Sequence, residues 1–392
     1  MKLLIYSHFF SPSIGGVESA VLSLASGLPG LRTPQGDSEF EVTLVTQTPA
    51  GDFDDRTLPF LVVRQPSLLR LWRIVRSSDV IHVAGPALPP LLLGFFARKP
   101  VVVEHHGYQA ICPNGLLVHQ PDGSICPGHF QAGHYGKCVR CRASEVSGLR
   151  SLAALLLMFP RLWLSRIVSR NLAISQHVLE RHGLPRSSVV YYGIEDPLGP
   201  GIVPATALNT TGKICFAYVG RFFPEKGIAI LLQAAAILMG EGHEFEIRLI
   251  GDGPQRRKLE EIIEANHLGS CVRITGYLTD AALASALRDV RVVIMPSVCE
   301  ETAGLAAIEQ MMRGRLVIAS RIGGLSEVVD SLGLQFPPGN SEALAGCMRN
   351  VIQDASITDS IGPKARERAL QLFSRARMIQ DHASVYSSVA NH

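Results

Sequence analysis

Short, unbroken apolar runs recur along the chain, with longer stretches of helical periodicity between them. In the first half "KLLIYS" (2–7), "EVTLVTQ" (41–47), "VIHVAG" (80–85) and "VVVEHHG" (101–107) are such runs. In the second half "ICFAYVG" (214–220), "EIRLIGDG" (246–253), "VRITGYL" (272–278), "VVIMPS" (292–297) and "LVIAS" (316–320) follow the same rule. A strand covered on both faces shows a continuous apolar run rather than alternation, so these segments predict buried strands. Between them the spacing predicts helices over Val17–Leu28, Ile228–Met239 and Gln255–Asn266. Strand and helix in alternation imply parallel sheets wound on both faces. The two series are separated by "EDPLGPGIVPATALNTTGK" (195–213), whose Pro, Gly and Thr mark a linker.

Length and composition sharpen this picture. A chain of 392 residues exceeds one ordinary core. The expected division is a first Rossmann-like domain at 1–195, a second at 196–370, and a C-terminal helix at 371–392 that crosses back to the first. With 47% hydrophobic and 18% charged residues the chain is globular, and a net charge of +3 makes no case for nucleic acid. The apolar run at the amino terminus ends at His8, too short for a secretory signal. The longest apolar stretch elsewhere, Leu152–Phe159, is expected to stop at Pro160 and Arg161, short of a membrane span. The expected location is therefore the cytoplasm, and eight cysteines there do not imply disulfides.

Several predicted strand ends carry groups suited to phosphate. After the first strand, "SIGGVESAVLSLASGL" places Gly15 and Gly16 before a helix, where backbone N–H groups and the helix dipole favour an anion. The plain alternative is a glycine turn. After the first strand of the second half, "VGRFFPEKGIAILLQA" sets Arg221 and Lys226 on a loop before a helix. A forked and a point cation there suit a diphosphate, though a surface pair reads the same way. The sequence holds neither G-x-x-x-x-G-K-[ST] nor G-x-G-x-x-G, which argues against a P-loop protein and a nicotinamide enzyme. In "CEETAGLAAIEQMMRGRLVIAS" (299–320) two carboxylates, Glu301 and Glu309, stand eight apart across a predicted helix start. By themselves they read as a partly exposed helix face.

The order "IGGVE", "VGRFFPEKGI", "LIGDGPQRRKLE", "ITGYL", "VVIMPS", "EETAGLAAIEQM", "IASRIGGLSEVV" resembles the family 4 retaining glycosyltransferases of the GT-B fold. The likeness is densest from Cys215 to Asp330. It implies an α/β fold of two Rossmann-like, doubly wound domains facing across a cleft, and transfer of a sugar from a nucleotide-sugar donor to an acceptor hydroxyl. Glu301 would then accept from donor-sugar hydroxyls and Glu309 from the ribose diol, a fitting use of acceptor-only groups. The N–H groups of Ala303, Gly304 and Leu305 would face the diphosphate, and Ala303 stands where the family often has an aromatic residue. Arg221 and Lys226 would neutralise the leaving diphosphate, with Gly15 and Gly16 near it from the other domain. His106 matches the family's strand-end His, whose imidazole would approach the donor sugar in catalysis, and His105 is its neighbouring alternative. The resemblance further implies no catalytic metal, and a glycan or lipid-linked acceptor in polysaccharide, lipopolysaccharide or glycolipid synthesis. Two rivals use the same scaffold: a sugar-nucleotide isomerase and a non-catalytic binding or scaffold protein.

Two features lie outside that motif set. Cys112, Cys126, Cys138 and Cys141 fall within thirty residues that show no obvious strand or helix. Cys138-x-x-Cys141 has the bite of a zinc half-site, making these four candidate ligands of a structural zinc, with His129 and His134 as substitutes. Reduced cysteines packed as small apolar groups are the alternative. Residues 142–186 hold seven Arg, no Lys and two Glu among apolar residues. That mixture suits a helix lying on a membrane surface, or a core-packed helix with a basic rim.

Overall fold

The computed structural model describes residues 1–13, 15–120, 123–144, 146–199 and 212–391. The chain divides into two compact units, residues 1–194 with 373–392, and residues 195–372. Most of the sequence-predicted linker lies outside the described residues.

The first unit contains strands β1 (Lys2–Ser7), β2 (Glu41–Thr46), β3 (Leu61–Arg64), β4 (Val80–Ala84), β5 (Val101–His105), the short β6 (Val118–His119) and β7 (Ser124–Ile125), β8 (Arg170–Ala173) and β9 (Ser187–Val189). Its helices are α1 (Gly16–Gly27), α2 (Leu68–Ser77), α3 (Leu88–Ala97), α4 (Tyr135–Ala143), α5 (Gly148–Ile167) and α6 (Gln176–His182). Seven strands form one parallel sheet in the order β3-β2-β1-β4-β5-β8-β9, while β6 and β7 pair antiparallel apart from it. Alternate residues of β1 serve opposite faces. Leu3 and Ile5 pack with Val21 and Leu24 of α1 and, from the chain end, with Met378, Ala383 and Tyr386. Leu4 and Tyr6 pack with Leu71, Leu91 and Leu164 of α2, α3 and α5. Two covered faces explain the unbroken apolar runs, and truncating a residue such as Leu4 to Ala costs roughly 2–5 kcal/mol.

The second unit runs β10 (Ile214–Val219), α7 (Ile228–Gly240), β11 (Phe245–Ile250), α8 (Arg256–Ala265), β12 (Val272–Gly276), α9 (Asp280–Ala286), β13 (Val292–Met295), α10 (Leu305–Met312), β14 (Leu316–Ser320), α11 (Gly323–Val329), β15 (Leu334–Phe336), α12 (Ser341–Gln353) and α13 (Ser356–Phe373). Its six parallel strands are ordered β12-β11-β10-β13-β14-β15, so strand order reverses between β10 and β13. Crevices at the carboxyl ends of strands on either side of such a reversal are where open α/β sheets bind ligands. At the end of α13 the backbone returns to the first unit: Ile194 N–H donates to Phe373 O at 2.9 Å, and Arg375 N–H donates to Ile194 O at 2.9 Å. The final helix α14 (Arg375–Ala390) belongs to the first unit's core.

Two local expectations change. The cysteine segment, expected to be loop, contains the β6/β7 pair and α4, which carries Cys138 and Cys141. The apolar run expected to stop at Pro160 continues through it, as α5 spans twenty residues. Pro lacks an N–H and so forfeits one helical hydrogen bond, and Arg161 beyond it anchors the helix by donating to Pro86 O at 3.0 Å. Among the described residues no helix is long and apolar enough to cross a membrane.

Candidate active site

In the second unit the loops after β10 and β13 flank the reversal of strand order, and one hydrogen bond ties them: Val298 N–H donates to Glu225 O at 2.9 Å. Gly227 makes that approach feasible. Its φ is +67°, and a Cβ there would lie 1.9 Å from Pro296 O. Only glycine tolerates both conditions. The result is a side-chain contact across the switch point. Lys226 Nζ donates to Glu301 Oε1 at 2.5 Å, and Ser297 Oγ donates to the same oxygen at 2.7 Å. The two side chains are only 21% and 14% exposed. Burial favours the neutral form of each, but their mutual attraction and hydrogen bond outweigh it, holding the Glu301 carboxyl below its ordinary range and the Lys226 ammonium above. Ser297 and the nearby Arg221 charge add to the effect on Glu301. Both groups are therefore ionised at neutral pH.

Arg221 is exposed on the same loop, its guanidinium 5.0 Å from the centre of the Phe223 ring. Glu301 is held from the other side by α11, where Gly324 N–H donates to Glu301 O at 2.7 Å. Gly323 adopts φ +58° there, and a Cβ would meet Glu301 O at 2.5 Å. Residues 302–304 then lead into α10, whose cap Gly304 has φ +68°. The N–H groups of Ala303, Gly304 and Leu305 precede or open the first turn, where no carbonyl four residues back is in helical position. Glu309 lies about one turn along α10, partly exposed, accepting from Arg313 at 3.2 Å. Lys226, Glu301, Arg221 and the start of α10 thus share one end of the sheet.

The first unit treats its candidates differently. Gly15 caps α1 in extended backbone, followed by Gly16 at the first helical position. His105 and His106 are both buried. The His105 ring pairs Nε2 with Asn171 Oδ1 at 2.9 Å and lies 4.5 Å from the His182 ring. His106 pairs Nδ1 with Tyr192 OH at 2.6 Å and turns Nε2 to Glu104 at 3.3 Å. Glu104 is the centre of a network that sequence reading missed. His82 approaches the same carboxyl at 3.4 Å and His382 of α14 at 3.3 Å, while Tyr386 OH pairs with His82 Nδ1 at 2.9 Å. Burial opposes charge on all of them. Its effect on Glu104 is overcome by His106 and His382, leaving the carboxyl well below its usual range, and Glu104 in turn raises His382. His106 and His105 are driven by burial to about 4 and about 3. The signal available in sequence was one acidic residue inside the run "VVVEHHG".

The four cysteines also gather. Cys112, Cys126, Cys138 and Cys141 line one small cavity with Asn114, His119, His129, Lys137 and Arg142. His134 instead caps α4. Burial, then the neighbouring thiols, pushes the Cys138 thiol up to about 12.

Residues 205–368 match the family model described as glycosyl transferases group 1. The chain is 27% identical over 361 residues to the 2-deoxystreptamine glucosyltransferase of Streptomyces kanamyceticus, covering 86% of each. It is 24% identical over 243 residues to the putative colanic acid biosynthesis glycosyltransferase WcaL of Salmonella typhimurium, covering 60% of this chain and 57% of that one. Among solved structures, Anabaena HepE in complex with UDP aligns with a TM-score of 0.72 at 19% identity, covering 99% of this chain and all of that one. The apo form of the lipopolysaccharide outer core galactosyltransferase WaaB aligns with a TM-score of 0.68 at 15% identity, covering 99% and 100%. These last two likenesses concern the fold. With its two doubly wound parallel sheets and its group 1 match over residues 205–368, the chain has the GT-B fold and is similar to the group 1 glycosyltransferases.

Proposed function

We propose that the protein transfers a hexose from a nucleotide-sugar donor to an acceptor hydroxyl with retention of configuration. The observation that carries this is the ionised Lys226–Glu301 pair at the switch point of the second sheet. An ammonium has three donors. One goes to Glu301, leaving two for oxygens of a diphosphate, with the exposed Arg221 guanidinium as the second cation. Both hydrogen bonds to Glu301 end on Oε1, which leaves Oε2 for donor-sugar hydroxyls. Glu309 on α10 takes the ribose diol, and the N–H groups of 303–305 take the diphosphate. In the reaction the anomeric carbon–phosphate oxygen bond breaks as the acceptor oxygen bonds to that carbon on the same face. The acceptor proton passes to the departing phosphate oxygen. Stabilisation of the charge developing on that leaving group by Lys226 and Arg221 is the main catalytic contribution. No step calls on a metal. The burial of both His106 ring nitrogens against Tyr192 and Glu104 supports a positioning role for this residue, in place of direct contact with the sugar.

Relatives name UDP and UDP-glucose as ligands and colanic acid and lipopolysaccharide as products, which supports a nucleoside diphosphate sugar and a glycan or lipid-linked acceptor. A lipid-linked acceptor is favoured by the apolar surface of α5, where Leu149, Leu156 and Trp163 are more than half exposed and the Trp163 ring meets Phe95 of α3. A panel of nucleotide sugars tested by thermal shift tests the donor assignment, since a ligand that binds the folded state raises the melting temperature by mass action. Proton NMR of the product then reads its anomeric configuration. No stabilisation by any nucleotide sugar, or inversion, would overturn the proposal. Nucleotide-sugar rearrangement without an acceptor would favour the isomerase instead.

A further inference from the structure

Three separate segments bring four thiols to the wall of one small cavity, where their sulfurs are spread more widely than the ligands of a bound ion. Cys112 follows the turn beyond β5, Cys126 follows β7, and Cys138 and Cys141 lie three apart on α4, hence on one helix face. No disulfide joins them. Their common cavity measures about 20 Å³, room for a single small guest and too little for a cluster of irons and sulfides. N–H donors point at Cys141 Sγ, Gln120 N–H at 3.4 Å and the Asn114 side-chain amide at 3.5 Å, while Cys112 Sγ donates to Asn114 Oδ1 at 2.9 Å. Such donors suit thiolate sulfur. Lys137 and Arg142 line the cavity and oppose the net negative charge of four thiolates around a divalent ion. Among the described residues, regular structure in this segment amounts to a two-residue ladder and one short helix, with Phe130 and Cys138 packed on Leu155 and Met158.

We propose that Cys112, Cys126, Cys138 and Cys141 bind one structural zinc ion in tetrahedral all-sulfur coordination, its four thiol protons passing to solvent on binding. The site fastens residues 112–141 to the end of β5. Tyr108 accepts from Cys112 N–H at 2.8 Å and donates its own N–H to Gly115 O at 3.1 Å, so the zinc ligand and the strand-end residues beside His106 share one turn. The role is independent of the transfer chemistry assigned to Lys226 and Glu301, and so is its test.

Full-length protein purified without chelators should contain about one zinc per chain by elemental analysis, and X-ray absorption at the zinc edge should show four sulfurs. Mercurial titration should release that zinc as four thiols are blocked. Cobalt exchanged into the site should give tetrahedral d–d and sulfur charge-transfer absorption. The double variant Cys138→Ser/Cys141→Ser should lose at least nine-tenths of the metal and become rapidly cleaved by protease within 112–141, while nucleotide stabilisation of the other unit survives. Should that variant fail to fold, the wild-type metal content and its coordination decide alone. Absence of zinc, iron in its place, a nitrogen ligand, or disulfides in the purified protein would each overturn the assignment.

Discussion

Lys226 and Glu301 each need the other because both are largely shielded from water. Loop position alone suggests that Lys226→Ala should leave the fold intact, but the contact with Glu301 changes that expectation. Lys226→Ala should lower kcat/KM by the equivalent of about 2–4 kcal/mol, through lost stabilisation of the leaving diphosphate. It should also cost roughly 1–3 kcal/mol of stability, a discounted figure for a pair that is not fully buried, because Glu301 is left without its cation. Chemical denaturation of both single variants and of Lys226→Ala/Glu301→Ala checks this: the double variant should be less destabilised than the sum of the singles. Arg221→Ala, on an exposed side chain, should reduce turnover with little change in stability. Glu309→Gln should weaken binding of the free nucleotide, whereas Glu301→Ala should chiefly reduce turnover. Calorimetry with the nucleotide alone separates the two, and equal losses would refute this division. The spacing of Glu301 and Glu309 was legible in sequence. The bond from Lys226 to Glu301 was not, since it joins residues on different loops that only the sheet brings together, while Ser297 reaches Glu301 from four residues earlier on the same loop.

At the level of elements, strands were easier to read than helices of mixed character. Strands β1, β4, β10, β13 and β14 are nearly continuous apolar runs because both faces are covered. Edge or short strands such as β3, β9 and β15 bury only part of their residues, and periodicity passed over them. Helix α5 misled at Pro160, whose cost is offset by packing of Leu155, Met158 and Leu164. Its outward residues include Leu156 at 58% and Trp163 at 51% exposure. With Arg150 and Arg166 on the same helix they suit an anionic lipid surface. The double variant Leu156→Glu/Trp163→Glu should abolish co-sedimentation with phosphatidylglycerol vesicles while its melting temperature stays within a few degrees. Unchanged sedimentation would assign the face to another partner.

For the molecule as a whole, pH dependence should originate in the first unit. His82, His105, His106 and His182 are buried with depressed pKa values, the last three at about 3 to about 4. Below pH 6.5 the unfolded chain takes up protons that the folded chain refuses, so stability should fall as pH drops from 6.5 toward 4. Glu104 works in the same direction at lower pH, since its depressed carboxyl contributes stability that is lost as pH falls through its folded value. His382 opposes them: its raised pKa gives stability present below 6.5 and lost as pH rises above it. Thermal unfolding across pH 4–8 should show the net loss on the acid side, and His382→Gln should lower the midpoint by removing the imidazole whose attraction helps hold Glu104 ionised. A midpoint that is flat from pH 7 to 5 would contradict this. By itself the sequence determined the two series of parallel strands, the doubly wound class and the polar groups at strand ends, because period and burial are written locally in residue type. Only the tertiary structure decided which of those groups meet. The strand reversal between β10 and β13 joined Lys226 to Glu301, and the return of α14 placed His382 on Glu104. Such contacts depend on topology, which brings together residues whose separation along the chain carries no local trace.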